Sequence, residues 1–267
     1  MPGKLILAGT IANIVCRAAA YAVLRPTTTG GIMTDYDMRK DFGPMTEESN
    51  NRPPVALEQR GTSADQRMFS PSAARNVGPI VAVLKQVLPA HGTVLEIGCG
   101  TGEHVVHFAE AMPKLTFQPS DPDSDARAST RSWIKFAGLS NVLPPLDVDV
   151  SAKAWGVERA APFDAIVSLN MIHIAPWAAS LGLFAGAGRL LRAGGLLVLY
   201  GPFMRNGAHN APSNAAFDAS LKARNPSWGV RDITDLEAVA TSCELSLRET
   251  IDMPANNMSL VFCKSGK

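Results

Sequence analysis

From Ser70 onward the apolar positions follow two patterns. Val77, Ile80, Val81, Leu84 and Leu88 recur every three or four residues, which places them on one face of a helix, whereas "TVLEI" (93–97) is a short apolar run of the length a buried strand takes. Ser70-Pro71 marks the start of that helix, because the serine oxygen accepts from free amides and proline at the first helical position gives up no bond. Gly78-Pro79 is expected to bend or split it. Beyond "TVLEI" strands and helices alternate: a helix at "EHVVHFAEAM", a strand at "LTFQPS", helical sequence from Asp123 to Phe136, and a third strand toward the end of "VLPPLDVDV" (142–150). A fourth strand follows at "FDAIVSLN" (163–170), then a helix at "SLGLFAGAGRLL" that ends before Gly194-Gly195, and a fifth strand at "LLVLY". Such alternation predicts crossover units and a parallel sheet with helices on both faces. After a helix around Thr234 to Ser242, "LSLRETIDM" and "MSLVFCKS" are separated by only "PANN", too short a link for a crossover, so the pair is expected to be an antiparallel hairpin. The predicted fold class is therefore α/β: a Rossmann-like, doubly wound, seven-stranded sheet, mostly parallel, with a C-terminal antiparallel hairpin.

The region before Ser70 reads differently. Residues 1–32 carry Lys4, Arg17 and Arg25 but no acid, and the apolar run from Leu5 to Cys16 is interrupted by Gly9, Thr10 and Asn13. It is shorter than the about 20 apolar residues of a membrane span, and no clean small-x-small cleavage site follows it. Met33 opens a more typical polar start, so residues 1–32 read either as an N-terminal extension or as an over-extended gene start. Residues 33–67, with "EESNNRPP", read as an irregular lead-in to a domain over 68–267.

Composition narrows the partners. Of 267 residues, 46% are apolar and 18% charged, the balance of a soluble globular protein, and a net charge of +1 lacks the basic footprint of a long nucleic-acid surface. The expected partner is a small molecule, with neither nucleic acid nor membrane. Cys16, Cys99, Cys243 and Cys263 are widely spaced and form no zinc-type pair, which points to a reducing, cytoplasmic setting and no metal.

The chemistry concentrates in "VLEIGCGTGEH" (94–104), where Gly98, Gly100 and Gly102 follow the first strand and its acid, Glu96. Alternate glycines let the chain turn sharply and bring backbone against a ligand, and in open α/β sheets ligands lie beyond the carboxyl ends of the strands. A dinucleotide fingerprint would need its third glycine at position 103, where Glu103 stands, and that acid would repel pyrophosphate at the helix entrance. No Gly-Lys-Ser/Thr follows, so a Walker-type phosphate loop is excluded. The second strand ends at Asp121, near the offset at which an acid takes ribose hydroxyls, and Asp147 and Asp149 share one face of the third.

The pattern from Glu96 to Gly102 resembles motif I of class I methyltransferases, which bind S-adenosylmethionine (SAM). "FSPSAARNVGPI", "QPSDPD", "NMIHIAPW", "YGPF", "SNAAFDASLKARNPSWGVRD" and "MPANN" further resemble a group of that class, of undefined function, which includes human methyltransferase-like protein 26. The likeness runs from about Met68 to the C-terminus; "GCGTG" departs from the "ASGTG" of the group and restores the general motif. It implies SAM as cofactor, with Glu96 supporting the turn and the methionine amino group, Gly98, Gly100 and Gly102 lining the cofactor, Asp121 on the ribose, and Asp149 rather than Asp147 on the adenine amino group. Asn170 would shape the cofactor pocket by its backbone, and His173 would stand beside the reacting methyl as a general base or, equally, serve as an ordinary loop histidine. The stretch from Tyr200 to Arg231, with Tyr200, Phe203, Asn206, His209, Asn210, Asn214 and Trp228, would face a small, largely uncharged acceptor. Two other readings stay open: a non-catalytic SAM-binding sensor or scaffold, and, disfavoured by the glycine spacing, an NAD-dependent oxidoreductase.

Overall fold

The computed structural model describes residues 61–266. The expectations for residues 1–32 and for most of the lead-in lie outside the described residues. Of that lead-in, 61–67 are described and belong to a hairpin: β1 (Gly61–Thr62) pairs antiparallel with β2 (Met68–Phe69). Ser129 Oγ accepts from Met68 N at 2.8 Å, Trp133 Nε1 donates to Met68 O at 2.9 Å, and the Arg67 guanidinium lies 3.6 Å from the Phe136 ring centroid. Strands two residues long carry no periodicity, so this hairpin has no signature in the pattern of apolar positions.

Helix α1 (Pro71–Val87) starts as its sequence dictates, with Ser70 Oγ accepting from Ala73 N at 3.1 Å. It runs as one helix through Pro79, so the expected split does not occur. Proline removes the bond to the carbonyl of Arg75, but Arg75 is exposed and water can serve that carbonyl, while Ala73, Ile80, Val83, Leu84 and Val87 hold the opposite face against the sheet.

Then come β3 (Gly92–Ile97), α2 (Glu103–Ala111), β4 (Leu115–Ser120), α3 (Ser124–Ala137), β5 (Phe163–Leu169), α4 (Trp177–Leu190) and β6 (Leu191–Gly201). Next in the chain are β7 (Phe203–Arg205), β8 (Ala208–His209), α5 (Pro212–Arg224), β9 (Arg231–Asp232), α6 (Ile233–Ser242), β10 (Leu245–Met253) and β11 (Asn257–Lys264). The main sheet has the order β10-β11-β6-β5-β3-β4, with β4, β3, β5 and β6 parallel, β11 antiparallel to β6, and β10 antiparallel to β11. It has six strands, not seven. The segment expected to hold the third strand, 142–150, touches β4 only through isolated parallel bridges at Phe117–Val142 and Ser120–Leu146. Pro144 and Pro145 lie between those bridges and have no N–H to give a ladder. A separate small sheet, β8-β7-β9, follows the end of β6.

The alternation of side chains along each strand sorts the molecule into two cores. Leu95, Ile97, Ile166, Leu197 and Leu199 pack with α4 and α6, while Val94, Val167, Val198 and Tyr200 pack with α1, α2 and α3. By the same period of two, Glu96 shares the face of Val94 and Tyr200. The carboxyl ends of β3, β4, β5 and β6 meet at one edge, and the tight turn Pro254–Asn256 reaches that edge as well, because Met258 pairs with Gly201. Among the described residues no helix is long and apolar enough to cross a membrane.

Candidate active site

At the end of β3 the chain turns through Gly98, Gly100 and Gly102 with φ of +74°, +56° and +85°, a left-handed region that glycine enters without strain. Gly98 N and Cys99 N both donate to Ser120 O, at 2.9 and 3.0 Å, which ties the turn to the end of β4. A Cβ on Gly102 would lie 2.7 Å from the Cα of Thr130 on α3, and one on Gly98 would lie 3.1 Å from the Met171 side chain. These two glycines are thus required by protein neighbours as well as by conformation. Gly100 instead directs its amide at Asp121 Oδ2, 2.9 Å away. Glu103, which in the sequence argued against an anion at this helix entrance, accepts from Ser70 N at 2.6 Å and from Thr101 Oγ1 at 3.1 Å, so it also fastens the start of α1.

Glu96 is 2% exposed and its Oε2 has no hydrogen-bond partner. Burial, reinforced by the charge of Asp121, pushes its carboxyl up to about 8. Asp121, at the end of β4, is fixed by Gly100 N on Oδ2 and by Asp123 N on Oδ1, both at 2.9 Å. Asp147 is exposed and lies 3.2 Å from Arg127, whereas Asp149 is half-buried and accepts from Ser151 N at 2.8 Å. The turn and Asp121 are therefore in direct contact, and Glu96 lies on the α1 face of the same strand.

Asn170 follows β5 with φ of +59°, donates its amide to Tyr200 O at 2.8 Å, and leads into the short turn Met171–His173. That turn carries His173 away from Glu96. The imidazole is 0% exposed, packs edge-on against Phe203 at 5.0 Å, and lies so close to Gly201 that a Cβ there would be 2.5 Å from Nε2. Neither ring nitrogen has a hydrogen-bond partner. Burial first, and the nearby Arg231 second, lower its pKa to about 3, so the ring is neutral. Arg231 Nε donates to Ile172 O at 2.9 Å, and Gly229 N donates to His173 O at 3.0 Å.

A polar chain on the α1 face was not read from the sequence. Tyr200, 3% exposed at the end of β6, receives the Asn257 Nδ2 hydrogen bond on its phenol oxygen at 3.0 Å. His104 Nε2 is 2.7 Å from Asn76 Oδ1. Burial, with His107 nearby, lowers the His104 pKa to about 4, so the ring is neutral and its Nε2–H donates to Asn76. Burial raises the Tyr200 pKa and keeps the phenol protonated. A signal for Asn76 existed, since it lies at helical spacing between Ala73 and Ile80, on the apolar stripe. Beside this chain, between β7 and the β10–β11 turn, is an open cavity of about 590 Å³ bounded by Arg205, Asp252, Asn256 and Asn257 among others. Among the described residues no group of three or more His, Cys, Asp or Glu is placed to hold a metal ion.

Residues 67–264 match the family described as Protein of unknown function (DUF938), and the chain belongs to that family. An 83-residue stretch is 32% identical to the tRNA (guanine-N(7)-)-methyltransferase of Rhodopseudomonas palustris (strain BisA53), covering 31% of each chain. Among solved structures, an O-methyltransferase family protein from Burkholderia thailandensis superposes with a TM-score of 0.62 at 16% identity, over 73% of this chain and 58% of that one. CalO1, a methyltransferase in calicheamicin biosynthesis in its SAH-bound form, gives a TM-score of 0.59 at 17% identity, over 73% and 54%. The mitomycin 7-O-methyltransferase MmcR gives 0.61 at 14%, again over 73% and 54%. This chain thus spans a little over half the length of those structures and under a third of the curated relative. At these identities the structural likeness carries the fold, a methyltransferase-type mixed sheet flanked by helices.

Proposed function

We propose that this DUF938 member is a SAM-dependent methyltransferase that moves the methyl group in line to a small-molecule acceptor. The observation that carries the reading is Glu96. A buried carboxylate without a partner costs several kcal/mol, and a cation brought beside it removes that cost. The methionine amino group of SAM is such a cation, and a glycine turn at the carboxyl end of the first strand is where a nucleotide-like ligand crosses these sheets. NAD has no group of that kind near its pyrophosphate, and Glu103 opposes an anion at the entrance to α2.

In this reading Glu96 holds the amino group, Asp121, fixed by Gly100 N and Asp123 N, takes the ribose hydroxyls, and Asp149 takes the adenine amino group. Gly98, Gly100 and Gly102 form the floor, and Asn170 shapes the wall by its left-handed backbone. SAM supplies an activated methyl group, so the residues of the chain align donor and acceptor and exclude water. His173 as general base belongs to the same reading and is its testable part. A ring with a pKa near 3 is far from the operating pH at which a base is efficient, so the geometry better supports a neutral imidazole that braces the loop after β5 against Gly201. We assign catalysis to 68–267 and a cytoplasmic setting to the enzyme.

Thermal unfolding with SAM, S-adenosylhomocysteine (SAH) and NAD tests the proposal. Ligand at 100 times its Kd adds about 2.7 kcal/mol, a visible rise in Tm. SAM and SAH should give it and NAD should not; a shift with NAD alone would sink the assignment. Release of SAH from SAM in a metabolite extract separates the enzyme from a SAM-binding scaffold.

A further inference from the structure

The segment 142–150 touches β4 through isolated bridges, so the carboxyl end of β4 lacks the outer strand that would hold it by a ladder. Leu146 supplies backbone bonds at this end: its N donates to Pro119 O and its O accepts from Asp121 N, each at 3.0 Å. Next to these bonds a side chain takes over. Arg127, in the first turn of α3, spans both segments with its guanidinium. Its Nη1 donates to Asp121 O and to Pro122 O, each at 2.8 Å, and its Nη2 lies 3.2 Å from Asp147 Oδ2.

The arrangement suits a planar fork. Nη1 has one N–H for each carbonyl, and Nη2 faces the carboxylate, so one rigid plane braces the peptides of Asp121 and Pro122 against the strip beside them. Hydrogen bonds from a charged donor are the strong ones. The Arg127 side chain is 17% exposed, whereas that of Asp147 is 68% exposed, a setting in which an ion pair by itself holds weakly. The carbonyl bonds are therefore the stronger arm of the clamp. Asp121 is gripped at each polar group: Gly100 N and Asp123 N on its carboxylate, Leu146 O on its amide, and Arg127 on its carbonyl. The same helix face secures the glycine turn, since Ser129 Oγ donates to Thr101 O at 2.6 Å and Thr130 fills the space beside Gly102.

We infer that Arg127 is a positioning residue for the nucleoside half of SAM, acting through Asp121, whose carboxylate it holds at the ribose by bracing the Asp121 backbone against Asp147. The inference rests on the methyltransferase reading. The guanidinium does the work of the ladder that Pro144-Pro145 denies to the outer segment. Arg127 touches no reacting atom, and its effect is on cofactor affinity at the ribose, not at the amino group beside Glu96.

The test is calorimetric binding of SAH to the full-length protein at about pH 7, for the wild type, Arg127→Gln, Arg127→Lys, Asp121→Asn and the double variant Arg127→Lys/Asp121→Asn. Lysine keeps the charge and the aliphatic stem but presents a single point in place of a fork, so Arg127→Lys should retain the wild-type melting temperature. Both Arg127 variants should lose about tenfold in SAH affinity, the usual scale of a hydrogen bond to a charged group. Proton release on SAH binding, which reports Glu96, should be the same in Arg127→Lys as in the wild type. The readout that a merely structural role would not produce is coupling with Asp121: the double variant should bind SAH within about threefold of Asp121→Asn alone. A loss repeated in full on the Asp121→Asn background would overturn the inference, because independent effects multiply. SAH affinity within about twofold of the wild type in Arg127→Lys would overturn it as well, whatever the melting temperature. Changed proton release in Arg127→Lys would also overturn it, by placing the effect at Glu96. Failure of the wild type to bind SAH at all would instead strike the methyltransferase reading.

Discussion

Replacing Glu96 by glutamine separates the burden of a buried carboxyl from its use. In the folded protein this carboxyl ionises near pH 8 rather than at its ordinary 4.5, because ionisation removes a charge from water and adds it beside Asp121. Between those two values the folded state binds the proton and the unfolded state does not, so stability is fully present below about 4.5 and is lost as pH rises toward 8. At pH 7 the loss amounts to about 3 kcal/mol, and at pH 9 to about 5, from 1.36 kcal/mol per unit over the displaced interval. Glutamine has nearly the same shape and stays neutral throughout. Glu96→Gln should therefore match the wild type near pH 4.5 and exceed it by on the order of 3 kcal/mol at pH 7, measured by urea unfolding without ligand across pH 5–8.5. His104, His173 and Tyr200 are common to both proteins and cancel in the difference. Ligand binding reverses the sign: an ammonium beside Glu96 favours the carboxylate, so SAH binding at pH 7 should release roughly 0.9 proton in the wild type and none in the variant. Calorimetry in two buffers of different ionisation heat reads that number. Parallel pH profiles for the two proteins, or SAH affinity unchanged in the variant, would refute the pairing of Glu96 with a cation.

The glycines of the turn should divide by what they face. Gly100→Val, at φ +56° and bonded to Asp121, should fold with about 1–3 kcal/mol of backbone strain and lose SAH binding, whereas Gly102→Ala should cost about 1–3 kcal/mol even without ligand because Thr130 occupies the space, as urea unfolding and calorimetry would show. His173→Ala should lower stability by on the order of 2–4 kcal/mol through the cavity it leaves and change turnover less than about tenfold. A fall in turnover of about 10²–10⁴ with SAH affinity intact would restore His173 as the base.

The sheet was legible because its strands are buried on both faces or alternate strictly between them, and the crossover helices have clear starts: Ser70 and Asp123 both accept from amides of the helices they precede. What was lost came from places where local chemistry and tertiary demand disagree. The run 142–150 has strand composition, yet Pro144-Pro145 removes the donors a ladder needs, and only isolated bridges remain. Pro79 has the opposite history: a local breaker overridden by five buried contacts on one helical face. Asn76, His104 and Asn257 were not read as site residues because each is ordinary alone. Asn76 and His104 meet only where α1 packs on α2, and Asn257 reaches Tyr200 only through the pairing of β11 with β6, juxtapositions with no counterpart in sequence spacing.

Distance along the chain also misleads at the site itself, and the reason is the parity of strands. His173 is three residues past Asn170, which made it the natural neighbour of a bound methyl donor. The left-handed backbone at Asn170 and the tight turn that follows carry the chain over the end of the sheet, so the imidazole packs on the α4 side, behind Gly201. Tyr200 is 30 residues further on in the sequence, yet its backbone carbonyl accepts from Asn170 N and its side chain shares a face with Glu96. Within a strand two residues share a face when their separation is even, and across a parallel pair when they are in register or an even number of places from it. Counting Glu96 to Val167, Val198 and Tyr200 by that rule leads to the unpartnered carboxyl and the Tyr200 phenol on one side, with the buried histidine on the other. Faces, rather than spacing, therefore decide which polar groups at the carboxyl edge can act on the same ligand.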